Sequence, residues 1–551
     1  MGRAAPSPSS PSSPSSPSSP STPPPGWRPG WAVSGLVGVV ALGLTLAVAE
    51  LLAALGHSFG WLSPAASPLS SLGQTFIALT PEWLKQFAIS RFGSNDKLAL
   101  GAGMVVTLLL VGFVVGVVGR DRPRVAVGIA CGLVLVTAAA ILTGSASSVF
   151  DLLPLLVGAA AGITFLVNAF RRQLAPGGTP EAAGPAQPMA PATPAGATRR
   201  DFFRFAGIGA LIAVAAGAVA RWLPNTAEVT ASRAAVALPA PTGGHAPGPD
   251  TTIDVPGIST FVTDNTDFYR IDTAFVVPRM TTDQWQLRVH GLVDKEITLS
   301  WSDLLAMPSI EHMVTLTCVS NPVGGPYVGN ARWQGVRIAD VLAMAGPQNG
   351  ADCVYSTSVD GFTVTTPLDV LTDGRDALFA FAMNGQPLPM EHGFPVRMVV
   401  PGLYGYVSAT KWVIDLEVTT FAEATAYWTS RGWSAKAPIK TSSRIDVPRD
   451  GTSVSKGRVA IAGVAWAQHR GVTGVQVQID DLPWADATLS GDVGPDTWRQ
   501  WVYYWDPATS GQHTARCRAV DATGAVQTDF VQDVIPDGAT GLDERSFMVT
   551  A

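Results

Sequence analysis

Cys318 is the first residue in this sequence that suggests chemistry. It stands in Thr315-Leu316-Thr317-Cys318-Val319-Ser320-Asn321, and Asn330-Ala331-Arg332-Trp333-Gln334-Gly335-Val336 follows it. Further on comes His392-Gly393-Phe394-Pro395-Val396-Arg397-Met398-Val399-Val400-Pro401-Gly402. A lone thiolate suits a soft metal that changes oxidation state. Basic groups around it suit an anionic organic cofactor, which guanidinium and ammonium groups hold through charge-assisted hydrogen bonds. Packing alone gives no reason for a His-Gly-x-Pro-x-Arg loop.

The other cysteines narrow the choice. Cys131, Cys353 and Cys517 form no CxxC with each other or with Cys318, which argues against a zinc site or a redox dithiol. Cys131 lies in an apolar run and reads as a small buried hydrophobe. Cys353 and Cys517 lie in strand-like stretches, and whether they are free or paired stays open. The net charge of −6 gives no basic footprint, so nucleic acid is not an expected partner.

A chain of 551 residues holds more than one domain, and its halves differ. Residues 1–30 include a Ser/Pro repeat that cannot build a core. Five apolar runs follow: Trp31–Leu55, Leu98–Val118, Val125–Thr143, Leu152–Phe170 and Phe205–Ala220. The first four, within residues 31–172, are long enough for a bilayer, and the fifth spans with its flanks. Arg120, Arg122 and Arg124 lie between the second and third runs, and Arg171, Arg172, Arg199, Arg200 and Arg204 between the fourth and fifth. The positive-inside rule puts these loops and the N-terminus in the cytoplasm, and everything after Ala220 outside. Lys85, Arg91 and Lys97 in the first outer loop run mildly against it. The expected location is the cell membrane, multi-pass, with an extracytoplasmic outer half.

Thr198-Arg199-Arg200-Asp201-Phe202-Phe203-Arg204 opens the segment 199–222. It resembles an internal twin-arginine export signal, and it also reads as an ordinary basic flank. The only histidine before the fifth run is His57, so the facing axial ligands of a haem bundle are not expected. Segments 173–198 and 223–251 read as flexible linkers. Residues 252–442 have α+β texture, with short β-rich runs broken by Gly and Pro. Residues 443–551 alternate faces at period two, as an immunoglobulin-like β-sandwich does.

In that outer half the sequence resembles the sulfite oxidase family of molybdopterin-dependent oxidoreductases, from about Phe268 to Ala551. The matching pieces include Phe268-Tyr269-Arg270, Trp285–Gly291, Leu316–Asn321, Ala331-Arg332-Trp333, Met383–Pro389, His392–Gly402 and Lys411-Trp412. Their order and spacing carry the resemblance. The anchor and internal export signal are similar to those of membrane-bound actinobacterial members. The resemblance implies a molybdenum pyranopterin cofactor with Cys318 as the protein's metal ligand. It implies Arg332, His392, Arg397, Ser408 and Lys411 as cofactor contacts, and Arg270 and Tyr327 on the substrate side. The implied fold class is an N-terminal all-α transmembrane bundle, an α+β molybdopterin-binding domain and a C-terminal immunoglobulin-like sandwich of the kind used for dimerisation.

Departures from the family bear on substrate. Its sulfite oxidases continue from the ligand cysteine as Ala-Gly-Asn-Arg-Arg, whereas Asn321 here is followed by Pro322 and Val323. The loop Pro322–Asn330 is shorter and has Tyr327 rather than a tryptophan. Asp360-Gly361-Phe362-Thr363 replaces a family tyrosine, and Arg270-Ile271-Asp272 stands for Arg-Asn-His. A lost pocket arginine removes a charge-assisted contact of about 1.5–3 kcal/mol. The reading is therefore oxygen-atom transfer, sulfite-oxidase-like, on a small oxyanion, with electrons exchanged with an external redox partner. Reduction of an S-oxide or N-oxide is the alternative, and a non-enzymatic surface protein retaining the fold is a second.

Overall fold

The computed structural model describes residues 30–58, 61–81, 96–143, 147–174, 225–244, 248–274 and 276–551, with Leu84, Phe87, Arg91, Gly207 and Leu211 besides. The Ser/Pro tail, the twin-arginine-like motif, the linker 175–197 and nearly all of the fifth apolar run lie outside the described residues.

The first half is helical: α1 (Trp31–Ser58), α2 (Pro68–Leu79), α3 (Asp96–Asp121), α4 (Pro123–Leu142) and α5 (Leu153–Leu174). All but α2 are long and apolar enough to cross a bilayer. In hydrocarbon, backbone groups must bond within the segment, and helices meet that demand. Small residues let these helices approach closely. A side chain at Gly38 would strike the backbone of Gly112 and Gly116 on α3, and one at Gly162 would strike Thr45 on α1. The faces turned away from the bundle are apolar too, with Leu110 and Leu135 largely exposed. Cys131 belongs to this outer face, which corrects its expected burial. In a span the surrounding medium is itself apolar, so hydrophobicity does not mark the inside.

The sequence reading left α2 inside a long loop. Pro68 starts it, and the Ser67 hydroxyl accepts from Ser70 N–H at 3.2 Å. Glu50 on α1 accepts from Leu69 N–H and from the Ser67 hydroxyl, both at 2.8 Å. Asp151 accepts from the N–H and hydroxyl of Ser63, both at 2.8 Å. Two acids of the helical half thus fix the segment that bears α2.

Residues 225–244, expected to be flexible, are docked instead. Helix Asn225–Ala234 buries Val229, and Arg233 donates to the carbonyls of Leu388 and Pro387 at 2.7 Å each. Thr242 N–H then reaches Ser309 O at 2.7 Å. The Ala- and Pro-rich composition hides this, because a few side chains and backbone groups make the attachment.

The outer half begins with one mixed sheet and one antiparallel sheet. One has the order β2 (Ile297–Ser300), β1 (Gln286–Gly291), β10 (Val413–Thr419), β5 (Cys353–Ser358), β6 (Thr363–Pro367), with β1 and β10 parallel. The other runs β3 (Ser309–Thr317), β4 (Val328–Arg337), β7 (Leu378–Met383), β8 (Gln386–Pro387), and β9 (Arg397–Val399) pairs with β7. Trp285, Leu287, Phe379, Phe381 and Val413 are fully buried in their shared core.

Nine more strands make two sheets packed face to face. These are β11 (Ser442–Val447), β13 (Val459–Trp466), β17 (Arg499–Trp505) and β16 (Thr488–Leu489) in one. The other holds β12 (Ser453–Ser455), β19 (Asp543–Thr550), β18 (Gly511–Asp521), β14 (Val472–Ile479) and β15 (Ala485–Asp486). Ile461 and Trp501 from one sheet meet Val477, Cys517 and Phe547 from the other. Cys353 and Cys517 are both free and buried, in different sheets. Burial pushes the Cys353 thiol up to about 12 and the Cys517 thiol higher still.

Trp501 is fully buried, and its indole N–H has no acceptor among the described residues. Trp501→Ala should lose about 3–5 kcal/mol to the cavity it leaves. Trp501→Phe keeps most of the volume and removes an unpaired donor, so it should lose less than about 1.5 kcal/mol. Urea unfolding of the two variants beside the wild type checks the ordering.

Candidate active site

Strand β3 ends at Thr317, and Cys318 is the next residue. Its N–H donates to Tyr327 O at 3.0 Å, closing the loop that returns to β4. The Asn321 side chain accepts from Tyr327 N–H at 2.8 Å and braces the same loop from inside. The C-terminal domain grips it from outside. Arg444 donates to Gly325 O at 2.9 Å, and Arg545 donates to Gly324 O at 3.0 Å. Gln468 donates to Thr315 O and the Thr317 hydroxyl at 3.0 Å each, holding the last turn of β3.

Cys318 faces a cavity of about 430 Å³ whose wall also includes Tyr269, Arg270, Asp272, Asp360, Arg397 and Lys411. The residue is half-buried, and burial pushes the thiol's pKa up, against bonds from Ser320 and the charge of Lys411. A thiolate there needs a cationic partner.

Arg397 opens β9 and is almost completely buried. It donates to Met398 O at 3.3 Å and His392 O at 3.2 Å, and its guanidinium sits 4.9 Å from the Trp333 ring centre. No carboxylate pairs with it among the described residues. Burial lowers its pKa to about 10, which leaves it charged at neutral pH. A buried cation without a counter-ion is costly, and the cost falls when an anion occupies the cavity.

Lys411 donates to Asp272 Oδ2 at 3.0 Å and to Glu391 O at 3.1 Å. Arg270 Nε donates to the same Oδ2 at 3.0 Å. One carboxylate therefore serves two cations. Burial lowers the Lys411 pKa, against the attraction of Asp272. The next residue, Trp412, is buried with φ at +51°, a left-handed backbone that a bulky side chain rarely adopts. Its indole N–H donates to Met390 O at 3.0 Å, which ties this turn to the His392 loop. Gly393, at φ +113°, lets the two segments close: a Cβ there would press on Arg397 and Lys411.

His392 is buried, with Nε2 3.0 Å from Asn265 O, so Nε2 carries the proton. Burial, then the charges of Lys411 and Arg397, lower its pKa to about 3. Its Nδ1 is an acceptor, buried and without a partner among the described residues. Asn265 is itself placed by the tight turn Asn384-Gly385 between β7 and β8, both at positive φ, since Asn384 donates to Asn265 Oδ1 at 2.8 Å.

Four expected residues are not in the cavity wall: His392, which stands behind Arg397, and three that stand elsewhere. Arg332 pairs with Glu311 at 3.4 Å and is not in the cavity wall. Ser408 donates to the carbonyls of Tyr404 and Leu403 at 3.0 and 3.3 Å, so it caps a turn. Tyr327 bounds the cysteine loop through its backbone and is not in the wall either. The wall also includes residues to which the sequence assigned no site role. Tyr269 stacks on Phe268 at 5.2 Å, and Phe268 meets Trp333 and His392 edge-on at 5.6 Å each. Asp360 lines the wall, with burial pushing its carboxyl above the usual range. Phe76, Ile77, Thr80 and Leu84 come from the helical half, and nothing in their own sequence pointed to a site.

A family model described as "Oxidoreductase molybdopterin binding domain" matches residues 274–428. The "Uncharacterized oxidoreductase YuiH" of Bacillus subtilis is 37% identical over 150 residues, covering 27% of this chain and 72% of that protein. The chain belongs to the sulfite oxidase family of molybdopterin oxidoreductases. "Sulfite oxidase, mitochondrial" of Homo sapiens is 33% identical over 309 residues, covering 47% of this chain and 56% of that one. The chain thus spans little more than half of that relative's length. The structure of the sulfane dehydrogenase SoxCD from Paracoccus pantotrophus covers 53% of this chain and 85% of its own, at 23% identity and a TM-score of 0.45. Family membership makes this protein an oxidoreductase, and the family implies a molybdenum cofactor.

Neutral His392 makes stability pH-dependent in a defined direction. Its folded pKa lies below the ordinary value of 6.5, so the unfolded chain takes up the proton first as pH falls. The contribution is complete above that value and is lost on the way down to about 3. Between about pH 7.5 and about pH 5 the loss should be about 2 kcal/mol. His392→Gln should remove that part of the acid destabilisation, read from urea unfolding at both pH values.

Proposed function

We propose that this protein is a membrane-anchored, extracytoplasmic molybdopterin oxidoreductase that catalyses oxygen-atom transfer. The observation that carries the reading is the buried Arg397, without a carboxylate partner among the described residues, in the cavity wall with Cys318 and next to His392, whose Nδ1 has no partner among them. These residues fit a phosphate-bearing pterin: a cation for the anion, and an acceptor for a ring N–H. Molybdenum held by the pterin sulfurs and by Cys318 supplies the two-electron oxygen-atom chemistry when bound.

The chain's own residues do the rest. Arg397 and Lys411 neutralise the cofactor. His392, kept neutral, accepts a hydrogen bond and adds no further charge. Cys318 gives up its proton as it becomes a ligand, which the positive surroundings favour. Arg270 stands at the substrate side and orients an oxygen of the substrate. The helices serve as anchor, the first outer loop lies on the catalytic domain's side, and the C-terminal sandwich is of the immunoglobulin-like kind that pairs in homodimers. Electrons pass to or from a separate partner, and no haem in this chain is invoked.

One observation favours the reductive direction on a neutral S-oxide or N-oxide. Asp272 already occupies Arg270 and Lys411, and Asp360 adds a second carboxyl to the wall. A dianion such as sulfite finds little uncompensated positive charge from these two cations, whereas a neutral oxide needs none.

Metal and pterin analysis of the purified protein tests the reading. The wild type should hold near-stoichiometric molybdenum and release a fluorescent pterin. Cys318→Ser should keep the pterin but change the metal's absorption, and Arg397→Met should lose at least ten-fold of the pterin. Sulfite-dependent dye reduction against sulfoxide-dependent oxidation of a reduced dye then separates the two directions. Folded protein without molybdenum or pterin would overturn the proposal.

A further inference from the structure

The cavity has a roof that the catalytic domain does not supply. Phe76 and Ile77 on α2, Thr80 just after it and Leu84 beyond form one side, and Ala99 and Leu100 near the start of α3 form the edge. Ala99 is also where α3 becomes apolar enough to enter a bilayer. The cavity therefore reaches from Cys318 to the level at which a membrane span begins.

The surface around this roof is apolar. Trp61, Phe76 and Leu79 are exposed by 77%, 54% and 79%. Exposed tryptophan and phenylalanine beside spans mark the boundary between lipid and water. Water-borne molecules gain nothing from such an entrance, whereas a molecule dissolved in the bilayer meets continuous apolar surface.

The walls narrow the class further. Phe362, Tyr406, Trp428 and Trp433 offer flat faces, with Tyr406 and Trp433 5.6 Å apart and Trp428 and Trp433 6.0 Å apart. Planar rings bind such faces by offset stacking. Trp433 is buried, and its indole N–H has no acceptor among the described residues, so it has a donor to give. Arg270 and Lys411 are shared with Asp272, which leaves this part of the wall without a free cation for a lipid phosphate.

We propose that the outer part of this cavity, lined by α2 and the start of α3, binds a membrane-dissolved quinone as the redox partner of the site. This deepens the reading of the site as an oxygen-atom-transfer centre and rests on it. The electrons balance: adding a water-derived oxygen to a substrate releases two electrons and two protons, and a quinone takes up both to become a quinol. Reduction of an oxide runs the same exchange backwards, with the quinol supplying two electrons and two protons and water leaving. The apolar tail lies against Phe76, Ile77 and Leu100, and a ring carbonyl accepts from Trp433.

Photolabelling of the full-length protein in lipid nanodiscs tests this, with a photoreactive benzoquinone carrying a ten-carbon tail. Peptides containing Phe76–Thr80 and Trp428–Trp433 should be labelled, and an excess of the unreactive decyl benzoquinone should protect them. The tail-less analogue should need at least ten-fold more for the same protection. Ile77→Asp should weaken labelling at Trp428–Trp433 at least ten-fold. Because Ile77→Asp can disturb folding, the comparison of tailed and tail-less competitors on wild type stands as an independent arm. Labelling confined to the spans, or equal protection by both competitors, would overturn the proposal. Molybdenum content is measured on the same samples: protected labelling without molybdenum would support the quinone site and sink the cofactor reading, and molybdenum without protected labelling would do the reverse.

Discussion

Positive charge in excess of its counter-charge governs the centre of this molecule. Arg270, Arg397 and Lys411 converge on one cavity, and Asp272 alone bridges two of them. Arg397 is buried with only carbonyls and a tryptophan face around it. Carbonyl dipoles and a ring quadrupole soften the desolvation of a guanidinium without cancelling its charge. Burial, and then the same field, keep His392 neutral, which leaves its Nδ1 as an acceptor. An anionic cofactor resolves both at once, since it supplies the missing charge and the missing donor.

Holding that charge in place takes most of the outer half. Asn384 positions Asn265, which fixes the tautomer of His392. Trp412 accepts an unfavourable backbone conformation so that Lys411 points inward while its own indole bonds to Met390. The C-terminal domain acts at the other end, because Gln468, Arg444 and Arg545 hold the strand end and loop that present Cys318. The sandwich thus belongs to the site's scaffold, whatever surface it offers to another copy.

Legibility in the sequence followed the range of the interactions. Apolar runs and period-two alternation are local, so four spans and the β-rich outer half could be read directly. Cys318, His392, Arg397 and Lys411 were nominated because family motifs surround them, and three of the four share one cavity wall. Arg332 and Ser408 were nominated on weaker grounds, and one is taken by Glu311 and the other by a turn. A motif names a residue but not the direction of its side chain. The docking of helix Asn225–Ala234 and the capping of α2 rest on single side chains reaching distant backbone, and such contacts leave no periodic trace. Cys131 misled for the opposite reason, since apolar pattern means burial only where water is the solvent.

The helical half contributes more than attachment, and its two best-placed acids indicate why. A carboxylate among apolar helices is expensive and persists where it has work to do. Glu50 and Asp151 do not face each other or a channel of charges. Each accepts from backbone and hydroxyl donors in the stretch Ser63–Leu69 that leads into α2. The other face of α2 closes the cavity over Cys318. A mere anchor needs no defined loop between its first two spans. Fixing the start of α2 with these two carboxylates makes physical sense if the position of Phe76 and Ile77 over the cavity matters, because a roof that moves by a few ångströms no longer excludes water from the site.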